Sequence, residues 1–223
     1  MAYDKLGRLM TATDANGKTT SYTYGIVGRI SNVTDPLGNK SVYAYNLDGK
    51  LSRVTDTKNH IVSYDYDGRG RLIKMTDQLG KVETYTYDTS DNLISVMDRK
   101  GQTTTYTYDL MNRMTRATYA DGSYISYTYA TGGRLTAIND SISGTISYTY
   151  SGAGCGSGCS SIADKVVQEV TPLGTINYTY DAIGRRTSMT VTGQPSVDYG
   201  YDVNSRLTDI NMRVVWDVVS YVA

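Results

Sequence analysis

The 223-residue chain contains no phenylalanine, one tryptophan, one histidine, two cysteines and three prolines. Each shortage excludes something. Two thiols and one distant imidazole cannot supply the four ligands a zinc site normally takes. No apolar run approaches the roughly 20 residues needed to cross a bilayer as a helix. Charge of one sign is missing too: Lys plus Arg and Asp plus Glu both number 22 and are interleaved, so nothing attracts nucleic acid or an anionic membrane. The first residues, Met1-Ala2-Tyr3-Asp4, lack the charged and apolar regions of a secretory signal, which we read as the start of a fragment. What is abundant is Gly and Tyr, 22 of each, with much Thr, Ser and Asp. That is a strand-and-turn composition.

The tyrosines are periodic. Tyr3, Tyr24, Tyr45, Tyr66, Tyr87, Tyr108, Tyr129 and Tyr150 recur every 21 residues, and the series resumes at Tyr180 and Tyr201 after an insert of nine. A second tyrosine precedes most of these by two positions, as in Tyr22, Tyr43, Tyr64, Tyr85, Tyr106 and Tyr127. The remainder of the unit carries two Asp-x-x-Gly turns, for example Asp4-Lys5-Leu6-Gly7 and Asp14-Ala15-Asn16-Gly17. Asp at the first turn position accepts a backbone bond from two residues on, and Gly at the fourth supplies φ > 0. Where Gly is missing, Asn59, Asp91 and Asn112 replace it, the residue types that tolerate that conformation best after Gly.

Segments of five to seven residues with period-two alternation separate the turns, so each unit is two short antiparallel strands. The expected fold is all-β, with tandem 21-residue repeats building one long coiled or spiral sheet over residues 1–211. The insert falls near 151–166, and 212–223 is a non-repeat tail, either a cap or a truncation scar, with truncation favoured. Both tyrosines of a strand share one face, with Thr and Ser on the other. In the partner strand Leu51 or Leu93 precedes Val54 or Val96 by three, which separates them onto opposite faces unless a bulge intervenes. Tyr in every repeat and Phe in none implies that the hydroxyls reach water or a polar partner.

The unit Tyr-Asp-x-x-Gly-Arg-Leu-x-x-Val-Thr-Asp-x-x-Gly-x-Thr-x-Tyr-x-Tyr resembles the Rhs, or YD-repeat, family over about residues 3 to 211. The resemblance implies a spiral β-sheet shell of the kind found in bacterial polymorphic toxins, toxin-complex components, wall-associated proteins and teneurins. In the toxins such a shell encloses a C-terminal effector. The implied partners are the remaining Rhs core and that effector, and the implied location is secreted or cell-surface. No Asp-Pro-x-Gly-Leu-type core motif, the part associated with self-cleavage, is present.

Among individual residues, Cys155 and Cys159 lie in the Gly- and Ser-rich insert. A local disulfide, free thiols and a metal shared with another chain all stay open. His60 follows a turn, and the repeat offers it no orienting partner, so a catalytic role is not expected. The Arg after each first turn (Arg8, Arg29, Arg71, Arg113, Arg134) is expected to pack on a tyrosine face or to pair with a turn Asp. No Gly-x-Ser-x-Gly elbow occurs, so no enzyme and no cofactor are expected. The functional reading is a structural module for encapsulation or display. The alternative is a carbohydrate-binding surface, with Tyr64, Tyr66, Tyr85, Tyr87, Tyr106, Tyr108, Tyr127 and Tyr129 as aromatic rows.

Overall fold

A computed structural model describes residues 1–152 and 164–212. Cys155, Cys159 and the tail beyond Met212 lie outside the described residues. The described residues contain twenty strands and no helix. Met1–Tyr106 and residues 107–223 are two compact units. Within the first, each strand pairs antiparallel with its chain neighbours, from Ala2–Tyr3 through Leu93–Met97. The second repeats the arrangement from Met114–Thr118 through Leu207–Met212. The repeat reading and the all-β class therefore hold, with two strands per 21 residues.

The turns form as their chemistry dictates. In the first, the Asp4 carboxylate accepts the N–H groups of Leu6 and Arg8, each at 2.9 Å. The Gly7 N–H donates to the Asp4 carbonyl at 3.0 Å, and the Asp4 N–H to the Arg8 carbonyl at 2.9 Å. One aspartate thus satisfies two backbone donors that the reversal would leave unpaired. The same bonds recur at Asp35, Asp77 and Asp181. Gly80 adopts φ 75°, and the substitutes Asn59, Asp91 and Asn112 adopt 65°, 69° and 59°. A residue that tolerates the left-handed region therefore stands at this point whether or not it is glycine.

A bulge settles the spacing of three. Tyr22 lies opposite Val33 and Thr23 opposite Asn32, but Tyr24 lies opposite Ile30, so Ser31 is skipped. The same shift sets Tyr43 opposite Val54 and Tyr45 opposite Leu51, and in the second unit Tyr127 opposite Ile138 and Tyr129 opposite Leu135. The extra residue turns the Leu side chain back to the face of the Val, and both join the tyrosines. One face of each unit is therefore Tyr, Leu, Val and Ile. The other is Thr and Ser, knitted by hydroxyl pairs such as Thr13 with Thr19 at 2.8 Å and Thr107 with Thr115 at 2.9 Å.

Among the described residues only Ala117 is buried, at 6% exposure. Stability cannot come from a conventional core. It must come from the strand ladder and from side chains that bridge neighbouring strands and neighbouring repeats.

Candidate functional site: the tyrosine rows

Every one of Tyr64, Tyr66, Tyr85, Tyr87, Tyr106, Tyr108, Tyr127 and Tyr129 is half-buried on the apolar face, while the residue between each pair (Asp65, Thr86, Thr107, Thr128) is exposed on the other. The two tyrosines of a pair do different things.

The second tyrosine joins one repeat to the previous one. The Tyr24 hydroxyl donates to the Leu9 carbonyl at 2.8 Å, Tyr45 to Ile30 at 2.9 Å, Tyr66 to Leu51 at 2.9 Å and Tyr87 to Leu72 at 3.0 Å. In the second unit Tyr129 donates to Met114 at 2.8 Å, Tyr150 to Leu135 at 2.7 Å and Tyr201 to Arg186 at 3.0 Å. The acceptor is the carbonyl of the first residue of a strand in the preceding repeat. A phenylalanine would fill the same space and leave that carbonyl without its donor.

Over the same ring lies the cation of the preceding repeat. Arg8 sits 4.6 Å from the Tyr24 ring centre, Arg71 4.5 Å from Tyr87, Arg113 4.4 Å from Tyr129 and Arg185 4.8 Å from Tyr201. Lys50 takes the place over Tyr66, at 5.7 Å. Each of these arginines also holds its own turn: Arg8 to Asp4 at 2.6 Å, Arg71 to Asp67 at 2.7 Å, Arg113 to Asp109 at 2.6 Å and Arg185 to Asp181 at 2.6 Å. At these four arginines the expected alternatives, ring stacking or pairing with Asp, are realised together, whereas Arg29 and Arg134, whose turns begin with Gly25 and Ala130, stack on Tyr45 and Tyr150 at 5.7 and 5.2 Å. Arg71 goes further and reaches Asp91 of the next turn at 2.6 Å.

The first tyrosine is less committed. Tyr85 donates to the Glu83 carboxylate at 2.8 Å and Tyr178 to Glu169 at 3.2 Å. Burial, followed by the bond and charge of Glu83, pushes the Tyr85 phenol up to about 12. Burial raises Tyr66 as well, with Tyr64 adding to it. The turn aspartates move the other way. The backbone N–H of Arg71 holds Asp67 below the usual carboxylate range, with burial opposing and the guanidinium assisting.

One expectation needs correction. His60 does have an orienting partner: its Nδ1 lies 2.9 Å from the Asp56 carboxylate. The contact belongs to the turn, because Asn39 makes the same bond to Asp35 at 2.8 Å and Asn92 to Asp88 at 2.9 Å. Sequence reading missed it because it reaches back across the turn by four residues.

It also missed a concentration of isoleucine in the second unit. At the position two before the first tyrosine, the first unit has Thr20, Ser41, Val62, Glu83 and Thr104, whereas the second has Ile125, Ile146 and Ile176. The signal was present as a change of residue type at one repeat position.

Comparison with known proteins agrees with this architecture. The RHS Repeat family model matches residues 3–40, 45–82, 66–96 and 87–124, together more than half of the chain. The chain belongs to the RHS repeat family. Its fold is similar to the TcdB2-TccC3-TEV crystal structure, with TM-score 0.65 and 16% identity over 92% of this chain. It is also similar to a Photorhabdus luminescens Tc holotoxin pore carrying a TccC3 mutation, with TM-score 0.55 and 20% identity over 92% of this chain. The chain spans only 12% and 13% of the length of those two chains. No curated protein sequence matches it.

Proposed function

We propose that this chain is a structural module of a secreted or cell-surface bacterial toxin or adhesin, where its sheet serves to encapsulate or display the rest of the parent protein. The observation that carries this reading is the use of the second tyrosine. Its hydroxyl and ring face are consumed in joining repeats, through bonds such as Tyr87 to the Leu72 carbonyl and the Arg71 stack on Tyr87. A surface that spends its aromatic groups internally is built to hold a sheet together. Membership of the RHS repeat family and the fold likeness to TcdB2-TccC3 structures support the same reading. The partners it implies are the remaining Rhs core and a C-terminal effector of the parent.

The test is placement of the native parent protein. An epitope tag inserted at the exposed turn tip Leu47-Asp48 should be found in the culture medium or be removed by protease from intact cells. A tag that stays inside intact cells and resists protease until lysis would overturn the proposal.

A further inference from the structure

The second unit contains an apolar groove of about 700 Å³ on its tyrosine face. Ile125, Ile138, Ile146, Ile176 and Val191 form its floor. Register explains why they meet: Ile138 lies opposite both Tyr127 and Ile146 on its two flanking strands, and Ile176 opposite Val191. The wall is made by two hairpin tips, Asp140–Gly144 and Thr171–Gly174. These tips are tightly packed, since the Pro172 ring stands 2.9 Å from the point a Cβ on Gly144 would occupy.

The fold does not require this lining. In the first unit Thr20, Ser41, Glu83 and Thr104 hold the position of Ile125, Ile146 and Ile176, with Val62 the one apolar residue there, within strands of the same kind. Three half-buried isoleucines stand where the repeat also accepts threonine.

The charge at the groove selects its occupant. No Lys, Arg or His lines it, and its one carboxylate is spent: Asp140 accepts the N–H groups of Ile142 at 2.8 Å and Ser143 at 3.2 Å. The Thr171 hydroxyl is engaged in the same way, donating to the Gly174 carbonyl at 3.0 Å and accepting from the Leu173 N–H at 3.2 Å. An anion would find no counter-charge there, and any ion would lose its hydration against the isoleucines. The volume falls within the roughly 300–1,000 Å³ typical of small-molecule sites. We propose that this groove binds an uncharged, mainly aliphatic or aromatic small molecule.

The probe is the neutral dye phenylnaphthylamine, titrated by fluorescence into the full 223-residue chain. The expected result is saturable binding at one site. The double variant Ile146→Thr with Ile176→Thr, which brings in a residue type found at this position in the first unit, should keep the strand spectrum and a cooperative urea transition while weakening the dye by about tenfold or more. Leu47→Ser, at an exposed turn of the first unit, should leave dye affinity unchanged. Absence of saturable binding, or equal affinity in the double variant, overturns the proposal. So does a dye that binds only on dilution of a self-associated form, which would make a second copy of the chain the occupant.

Discussion

Replacing Gly80 isolates what the turn conformation is worth. Gly80 sits at φ 75°, and no heavy atom lies within 4 Å of where a Cβ would be, so added bulk meets open space. Its N–H donates to the Asp77 carbonyl at 2.9 Å, a bond that any residue but proline would preserve. The cost of a side chain is therefore conformational. An L-residue in the left-handed region loses about 1–2 kcal/mol. Stiffening of the unfolded chain returns about 0.4–1 kcal/mol of that, so Gly80→Ala should cost about 1 kcal/mol. Gly80→Val, with its β-branch, should cost on the order of 1–3 kcal/mol. Gly80→Asn should cost distinctly less than Ala, because Asn59 and Asn112 already hold the same turn position at φ 65° and 59°. Urea unfolding followed by circular dichroism, with a common slope, gives the ranking. Hydrogen exchange on Gly80→Val should lose protection in the adjoining strands Leu72–Thr76 and Val82–Tyr87 more than in distant repeats. A valine that costs no more than asparagine would refute the argument.

The hydroxyl bridge predicts a contrast between the second tyrosine of one repeat and the first tyrosine of another. Tyr87→Phe removes the donor to the Leu72 carbonyl and should cost about 0.5–1.5 kcal/mol, whereas Tyr43→Phe, for which no bond is recorded among the described residues, should be near neutral in urea unfolding. Acid should weaken the array. Asp4, Asp67 and Asp202 have folded values lowered first by backbone N–H bonds, so their stabilisation is present above the ordinary carboxylate value of 3.8 and fades as pH falls through the lowered ones. The urea midpoint should drop on acidification, and Asp67→Asn should flatten part of that fall. Alkali should weaken it too, through Tyr85. Its folded value, raised to about 12, keeps a contribution intact below 10.0 and loses it as pH climbs toward 12, an effect that Glu83→Gln should reduce in an ultraviolet titration.

Much of this fold is legible from residue type alone, because turn chemistry is local. The carboxylate of Asp77 and the φ of Gly80 act within five residues, so Asp-x-x-Gly reads directly as a reversal. The bulge is not legible, since it depends on how two strands share hydrogen bonds. Leu51 and Val54 look misphased until Tyr45 is seen opposite Leu51 and Tyr43 opposite Val54. The bridge between repeats was half legible. The lack of phenylalanine showed that the hydroxyls matter, but the partner lies 15 residues away, on the neighbouring strand, and no short-range pattern reveals it. The isoleucine groove is harder still, because its residues become neighbours only once the register of several strands is fixed.

The same bridge explains how a sheet with almost nothing buried can be ordered. A layer one sheet thick leaves each side chain half in water, so area burial alone gives each strand a weak reason to keep its place. Directional contacts compensate. Arg71 is tied to Asp67 within its own turn, stacks on Tyr87 of the next repeat and touches the Asp91 carboxylate beyond it, while the Tyr87 hydroxyl returns to the carbonyl of Leu72. The loop closes on itself across one repeat boundary, so slipping the register by a single residue would break every contact in it at once and turn the tyrosines to the threonine face. Lys50 over Tyr66 keeps the stack but has an amide, Asn46, rather than a carboxylate at the first position of its own turn. That boundary should therefore be the more easily opened one. Restoring both partners with Asn46→Asp and Lys50→Arg should raise amide protection in the strand Ile61–Tyr66 relative to the wild type, and an unchanged exchange rate there would show that the ion pair adds nothing to the stack.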